Sequence, residues 1–215
     1  MNRTLEHVLP KDIEKRSFEI ITEELKNQGI AIREDKAFLI HRAIHTTADF
    51  DYARTLCFSE NAISIMADLI KSGAHIVTDT NMGLSGINKA ELKKHGGEVH
   101  CFMADEDVAK DARERGVTRA TVSMERAAKI PENVIFAIGN APTALISLKQ
   151  MYDRGVFIPK FVIGVPVGFV NVEYAKELIM ESTIPYIVNR GRKGGSNVAA
   201  AICNAVLYEI RNGRL

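Results

Sequence analysis

An α/β fold, one domain with a roughly five-stranded, mainly parallel sheet flanked by helices, follows from three features of the sequence. Buried-looking hydrophobic runs alternate with helical patterns from residue 75 onward, the rhythm of βαβ units with right-handed crossovers. Three of those runs break into glycine-rich loops at Gly139-Asn140-Ala141-Pro142, Gly164-Val165-Pro166-Val167-Gly168 and Arg190-Gly191-Arg192-Lys193-Gly194-Gly195-Ser196. Each loop leads into a helix, so all three belong at the carboxyl edge of the sheet, where open α/β folds bind ligands. Additional helices precede the first strand, without any linker-like tract or repeat that would mark a second domain, so residues 1–215 read as one unit.

The elements follow in order. Pro10 suits a first helical turn, and Ile13, Phe18, Ile21 and Leu25 make an apolar stripe that ends at Gly29. A second helix spans about Glu34 to Thr46 and carries Phe38, His41 and His45 on one side. Ser59 is the expected N-cap of a third helix ending near Gly73, and residues 75–79 form the first core strand. Helices are expected near 88–94, 106–115, 122–128, 142–153, 172–181 and 196–211, with strands at 99–103, 134–138, 161–165 and 186–188. The leading helices then pack outside the sheet or against a partner subunit.

Composition narrows the function. A hydrophobic fraction of 46% with no apolar run near the roughly 20 residues of a membrane span argues against a membrane protein. The start, Met1 to His7, runs into a charged helix rather than a signal peptide, so a cytoplasmic location is expected. Cys57, Cys101 and Cys203 are odd in number and scattered, which suggests reduced thiols rather than disulfides or a zinc knuckle. A net charge of +1 gives no drive toward nucleic acid, leaving anion binding to local clusters such as the loop around Arg190 and Arg192.

The motifs exclude more than they assert. Neither a G-x-x-x-x-G-K-[ST] phosphate loop nor a G-x-G-x-x-G fingerprint is present, which removes the best evidence for a nucleotide cofactor. No G-x-S-x-G elbow suggests hydrolysis. His41 and His45 have the spacing of a zinc helix, but Arg42 stands where the catalytic glutamate would be, and no metal site is expected. Arginine beside glycine suits a carboxylate-rich ligand, since guanidinium and carboxylate pair as a bidentate fork. Asp79 and Thr80, just past the first core strand, and Asn140 and Ser196 in the glycine loops are candidate ligand contacts, although Asp79 could equally cap a turn.

Taken together, Arg16-Ser17-Phe18, the segment His41 to His45, Ile76 to Met82, Thr118-Arg119 and the three glycine loops resemble the precorrin-8X / cobalt-precorrin-8 methylmutase family of cobalamin biosynthesis. The resemblance implies an isomerase that moves a methyl group from C-11 to C-12 of an anionic tetrapyrrole, giving cobyrinate or hydrogenobyrinate. It implies a homodimer with the site near the subunit interface, His45 as proton donor, Ser17 and Arg119 as substrate contacts, and Arg190 and Arg192 as contacts from the basic loop. The stretch from Gly194 to Ala199 is closer to the cobalt-dependent branch, in which cobalt arrives inside the substrate and no cofactor is needed. A tetrapyrrole carrier without chemistry would carry the same loops and arginines, and a phosphate-metabolite enzyme is a third reading.

Overall fold

The computed structural model describes residues 7–215, so all but His7 of the opening segment read for a leader lies outside the described residues. A short 3₁₀ turn, Pro10–Asp12, leads into α1 (Ile13–Asn27), and Gly29 beyond it takes a positive φ of 67°. Then come α2 (Glu34–Thr47), α3 (Tyr52–Thr55), β1 (Leu56–Phe58), α4 (Ala62–Lys71), β2 (His75–Thr78), α5 (Asn81–Gly86), α6 (Lys89–Lys93) and β3 (Val99–His100). The second half continues with α7 (Glu106–Arg115), α8 (Arg119–Ala127), β4 (Val134–Ile138), α9 (Pro142–Asp153), β5 (Phe161–Gly164), α10 (Val172–Met180), β6 (Tyr186–Asn189) and α11 (Ser196–Arg211).

The sheet has six strands in the order β1-β6-β5-β4-β2-β3. Five are parallel, as expected, and the sixth, β1, runs antiparallel at the edge with Cys57 opposite Val188. Sequence reading misses β1 because it is three residues long, lacks alternation and pairs with a strand far along the chain, Leu56 with Asn189 and Phe58 with Ile187. Ser59 is not the N-cap of α4. Asn61 holds that position with a φ of 54°, and the Ser59 hydroxyl instead accepts the Tyr186 amide at 2.9 Å, extending the β1–β6 pairing. The short α5 escapes notice because Gly83 and Gly86 make it a poor helix by propensity; the Thr80 side chain caps it through the Gly83 amide.

Strand residues alternate between two cores. Ile135 and Ala137 of β4, with Ile163 and Ile187, face α2, α4 and α11, while Val134, Phe136 and Ile138, with Val162 and Val188, face α8, α9 and α10. The leading helices therefore join the core of this chain: Ile21 and Leu25 of α1 and Leu39, Ala43 and Ile44 of α2 are buried in the same cluster as Ile202 and Val206 of α11. Strand order reverses between β2 and β4, because the chain moves outward to β3 before returning beyond β2. Such a switch point opens a crevice at the carboxyl ends of the flanking strands, here at Asp79 and Gly139.

Candidate active site

At the switch point the crevice is filled from within. The Asp79 side chain, 1% exposed, accepts hydrogen bonds from the amides of Gly139 (2.9 Å), Asn140 (2.8 Å) and Ala141 (2.5 Å). These amides open α9, whose own N-cap position, Ala141, has no capping side chain, so a carboxylate from β2 caps a helix that follows β4. Burial pushes the Asp79 carboxyl up, while the three amides pull it back toward the ionised form. Asp79 thus caps a turn, the alternative kept open from sequence, and both its oxygens are already engaged.

Glycine serves here for loop-on-loop packing. A Cβ on Gly139 would lie 2.5 Å from the Ser196 Cα, and one on Gly194 would lie 2.0 Å from the Val165 carbonyl oxygen, so each glycine loop rests on the backbone of another. Thr80 and Ser196 meet through their hydroxyls at 2.7 Å across this junction. Asn140 is exposed beside it. Arg119 opens α8, whose cap Thr118 donates to the Thr143 hydroxyl of α9 at 3.1 Å, and its guanidinium has no hydrogen bond or ion pair among the described residues.

The predicted proton donor lies between the leading helices. His45 Nδ1 is 2.7 Å from the Ser17 hydroxyl, and the His45 ring meets Phe18 edge-on at 5.5 Å. Nε2 makes no hydrogen bond among the described residues, so the Ser17 contact fixes the ring and leaves the second nitrogen for a ligand. His45 and Ser17 line a groove of about 520 Å³ with Ile13, Arg16, Ile20 and Phe50. The sequence groups Ile13 with the stripe of Ile21 and Leu25, but in the structure those two are buried and Ile13 is exposed: it belongs with Ser17, Ile20 and Glu24, at i, i+4, i+7 and i+11, to a second face of α1 that lines the groove. His41, half-buried near Phe18, has its pKa lowered by that burial. A larger cavity of about 800 Å³ near the start of α2, lined by Lys36, Phe58, Asn61 and Arg214, contains none of the predicted site residues.

The basic loop after β6 ties these regions together. Lys193 reaches Asp49 at 2.6 Å and Asp51 at 2.5 Å, just past the end of α2, which brings the helix of His45 to the carboxyl edge of the sheet. Those two hydrogen bonds, Asp49 first, hold the Lys193 pKa well above the ordinary value. Arg190 pairs with Glu177 and Arg192 with Glu173, both on α10. Beneath them Lys176 is fully buried, and its ammonium donates to the carbonyls of Gly191 (2.6 Å) and Lys193 (2.8 Å).

Burial pushes the Lys176 pKa down to about 8 from 10.5. Between those values the unfolded chain binds more protons than the folded one, so this residue's contribution to stability rises with pH. Denaturant unfolding at pH 7 and pH 10 should therefore show the wild type gaining on Lys176→Met at the higher pH; a gap that stays constant contradicts the buried charge.

A family model described as precorrin-8X methylmutase matches residues 12–209. The chain belongs to the precorrin-8X methylmutase family. The match takes in both leading helices and every glycine loop, so it covers the His45 groove and the carboxyl edge alike. Among curated methylmutases of this family, the cobalt-precorrin-8 methylmutase of Priestia megaterium is 42% identical over 93% of this chain and 88% of its own length. The cobalt-precorrin-8 methylmutase of Salmonella typhimurium is also 42% identical, over 94% of this chain and 96% of its own. The crystal structure of the Thermus thermophilus precorrin-8X methylmutase superposes with a TM-score of 0.84 at 33% identity, covering 95% of this chain and all of that one. The methylmutase fold is thus shared over 95% of this chain.

No helix among the described residues is long and apolar enough to cross a membrane. Nor do three or more His, Cys, Asp or Glu side chains among them gather as a metal site.

Proposed function

We propose that this protein is a cobalt-precorrin-8 methylmutase, an isomerase that moves the methyl group from C-11 to C-12 of the tetrapyrrole ring to give cobyrinate in cobalamin biosynthesis. The observation that carries this reading is the Ser17–His45 pair on an open groove, in a chain belonging to the methylmutase family. Two of its relatives at 42% identity bear the name cobalt-precorrin-8 methylmutase, which supports the cobalt-containing substrate over the metal-free one. Cobalt enters and leaves as part of the substrate, and the protein supplies no cofactor of its own.

Protonated His45 donates from Nε2 to the conjugated ring while Nδ1–H donates to the Ser17 hydroxyl. The electron-poor ring then draws the methyl group and its bonding pair: the bond to C-11 breaks as the bond to C-12 forms. A proton leaves the ring afterwards, so substrate and product have the same composition. The apolar wall of Ile13 and Ile20 suits the macrocycle, and Arg119, Arg190, Arg192, Asn140, Thr80 and Ser196 suit its carboxylate arms.

A cytoplasmic homodimer belongs to the same reading. The dimer is supported by large apolar side chains beside the site that a second subunit would cover, namely Ile13 at the groove and Phe169 (83% exposed) and Val170 (76% exposed) near the basic loop. The test of the substrate assignment is incubation with cobalt-precorrin-8 and with metal-free precorrin-8X in parallel. Faster turnover of the cobalt form is expected, and preference for the metal-free form would overturn the branch assignment.

A further inference from the structure

Helix α10 presents Glu173, Lys176 and Glu177 at i, i+3 and i+4, one face of a helix, to the backbone and cations of the basic loop. Glu173 Oε1 accepts from Arg192 Nε at 2.8 Å, and Glu177 accepts from Arg190 Nε at 2.9 Å and Nη2 at 3.3 Å. The third cation, Lys193, is held by Asp49 and Asp51. Every cation of the loop already holds a carboxylate of the protein itself. We propose that Glu173 and Glu177 are place-holders: they occupy the guanidinium groups that substrate carboxylates take, are exchanged for them on binding, and so make the site selective for ligands that present several carboxylates at once.

The two layers of this contact differ in how firmly they are held. The arginine–glutamate pairs are open to solvent, with the Arg190 and Arg192 side chains 59% and 60% exposed. Exposed ion pairs are weak, so giving one up costs little. A lone carboxylate gains equally little, because it replaces a carboxylate already present. A ligand with several arms exchanges both pairs in one binding event, its second arm arriving at high effective concentration. Lys176 is a different case, since its buried ammonium grips the backbone carbonyls of Gly191 and Lys193 and keeps the loop in place while the side chains above it change partners. The side chains four residues apart on α10 also fix the spacing of the arginines they hold, so the empty loop is preorganised for two carboxylates rather than one.

This inference rests on the reading of the loop as the seat of substrate carboxylates, and the test separates the two. Cobyrinate binding is measured by fluorescence or calorimetric titration for wild type, for Glu173→Gln/Glu177→Gln and for Arg190→Gln/Arg192→Gln, with acetate as competing monocarboxylate. The glutamine-for-glutamate variant is expected to bind cobyrinate about two- to fivefold tighter and to be inhibited by acetate at lower concentration than wild type. The arginine variant is expected to bind about tenfold more weakly. If the arginine variant is weakened but the glutamate variant binds no tighter than wild type, the glutamates only support the arginines and the place-holder proposal fails while the loop reading stands. If the arginine variant binds like wild type, the loop is not the carboxylate seat and both fail. All four side chains are solvent-exposed, and the single variants Glu173→Gln and Glu177→Gln provide the same readout should the double variant fold poorly.

Discussion

Replacing His45 with alanine is expected to lower turnover by about 10²- to 10⁴-fold, the range a positioned general acid contributes. The fold should barely respond, because His45 is exposed and among the described residues makes one side-chain hydrogen bond, to Ser17; a stability change within about 0.5 kcal/mol is expected. Ser17→Ala removes the partner of Nδ1 but leaves the imidazole in the groove, and a net hydrogen bond of about 1 kcal/mol predicts a loss of roughly fivefold. The rates come from single-turnover absorbance with substrate bound, so that affinity and chemistry are separated. A His45→Ala protein turning over at the wild-type rate removes this residue from the mechanism.

Asp79→Ala should have the largest effect on stability of any change at the site. The substitution strips three amides of their acceptor at once, in a junction where Gly139 packs directly on the backbone of Ser196. Unsatisfied buried donors cost about 1–3 kcal/mol each, and partial hydration at the exposed Asn140 and the partly buried Ala141 brings the total to about 2–4 kcal/mol. For a chain of this length that corresponds to a midpoint lowered by about 5–15 °C in thermal unfolding. Asp79→Asn keeps one oxygen acceptor and should fall between the two. An alanine variant as stable as wild type would mean that the α9 amides find another partner and that Asp79 is not what closes the switch point.

Much of the architecture is legible in the sequence because it is local. The five parallel strands, the helices from 142 to 153 and 196 to 211, and the gathering of the glycine loops at the carboxyl edge all follow from periodicity and punctuation. What escapes is set by contacts distant in the chain. The edge strand β1 exists through its pairing with β6, and Ser59 serves that pairing rather than α4. The same distinction runs through the site. His45 and Ser17 are 28 residues apart, and their 2.7 Å contact depends on how α1 packs on α2. Likewise, the glycine loops read in the sequence as ligand-binding loops because their neighbours are not visible there; the structure fills the space at Gly139 and Gly194 with neighbouring backbone. The arginines of the basic loop carry the right chemistry in the sequence, but their pairing with Glu173 and Glu177 depends on the register of α10 against a loop more than ten residues downstream.

The central claim, isomerisation at the His45 groove, is tested most directly by mixing the protein with cobalt-precorrin-8 and following the visible spectrum and the mass of the tetrapyrrole together. Moving the methyl group redraws the conjugated path without changing composition, so the account predicts a new chromophore of identical mass, formed by wild type and at least about a hundredfold more slowly by His45→Ala. A bound tetrapyrrole whose spectrum shifts only slightly and which is recovered unchanged would contradict the account and identify a carrier.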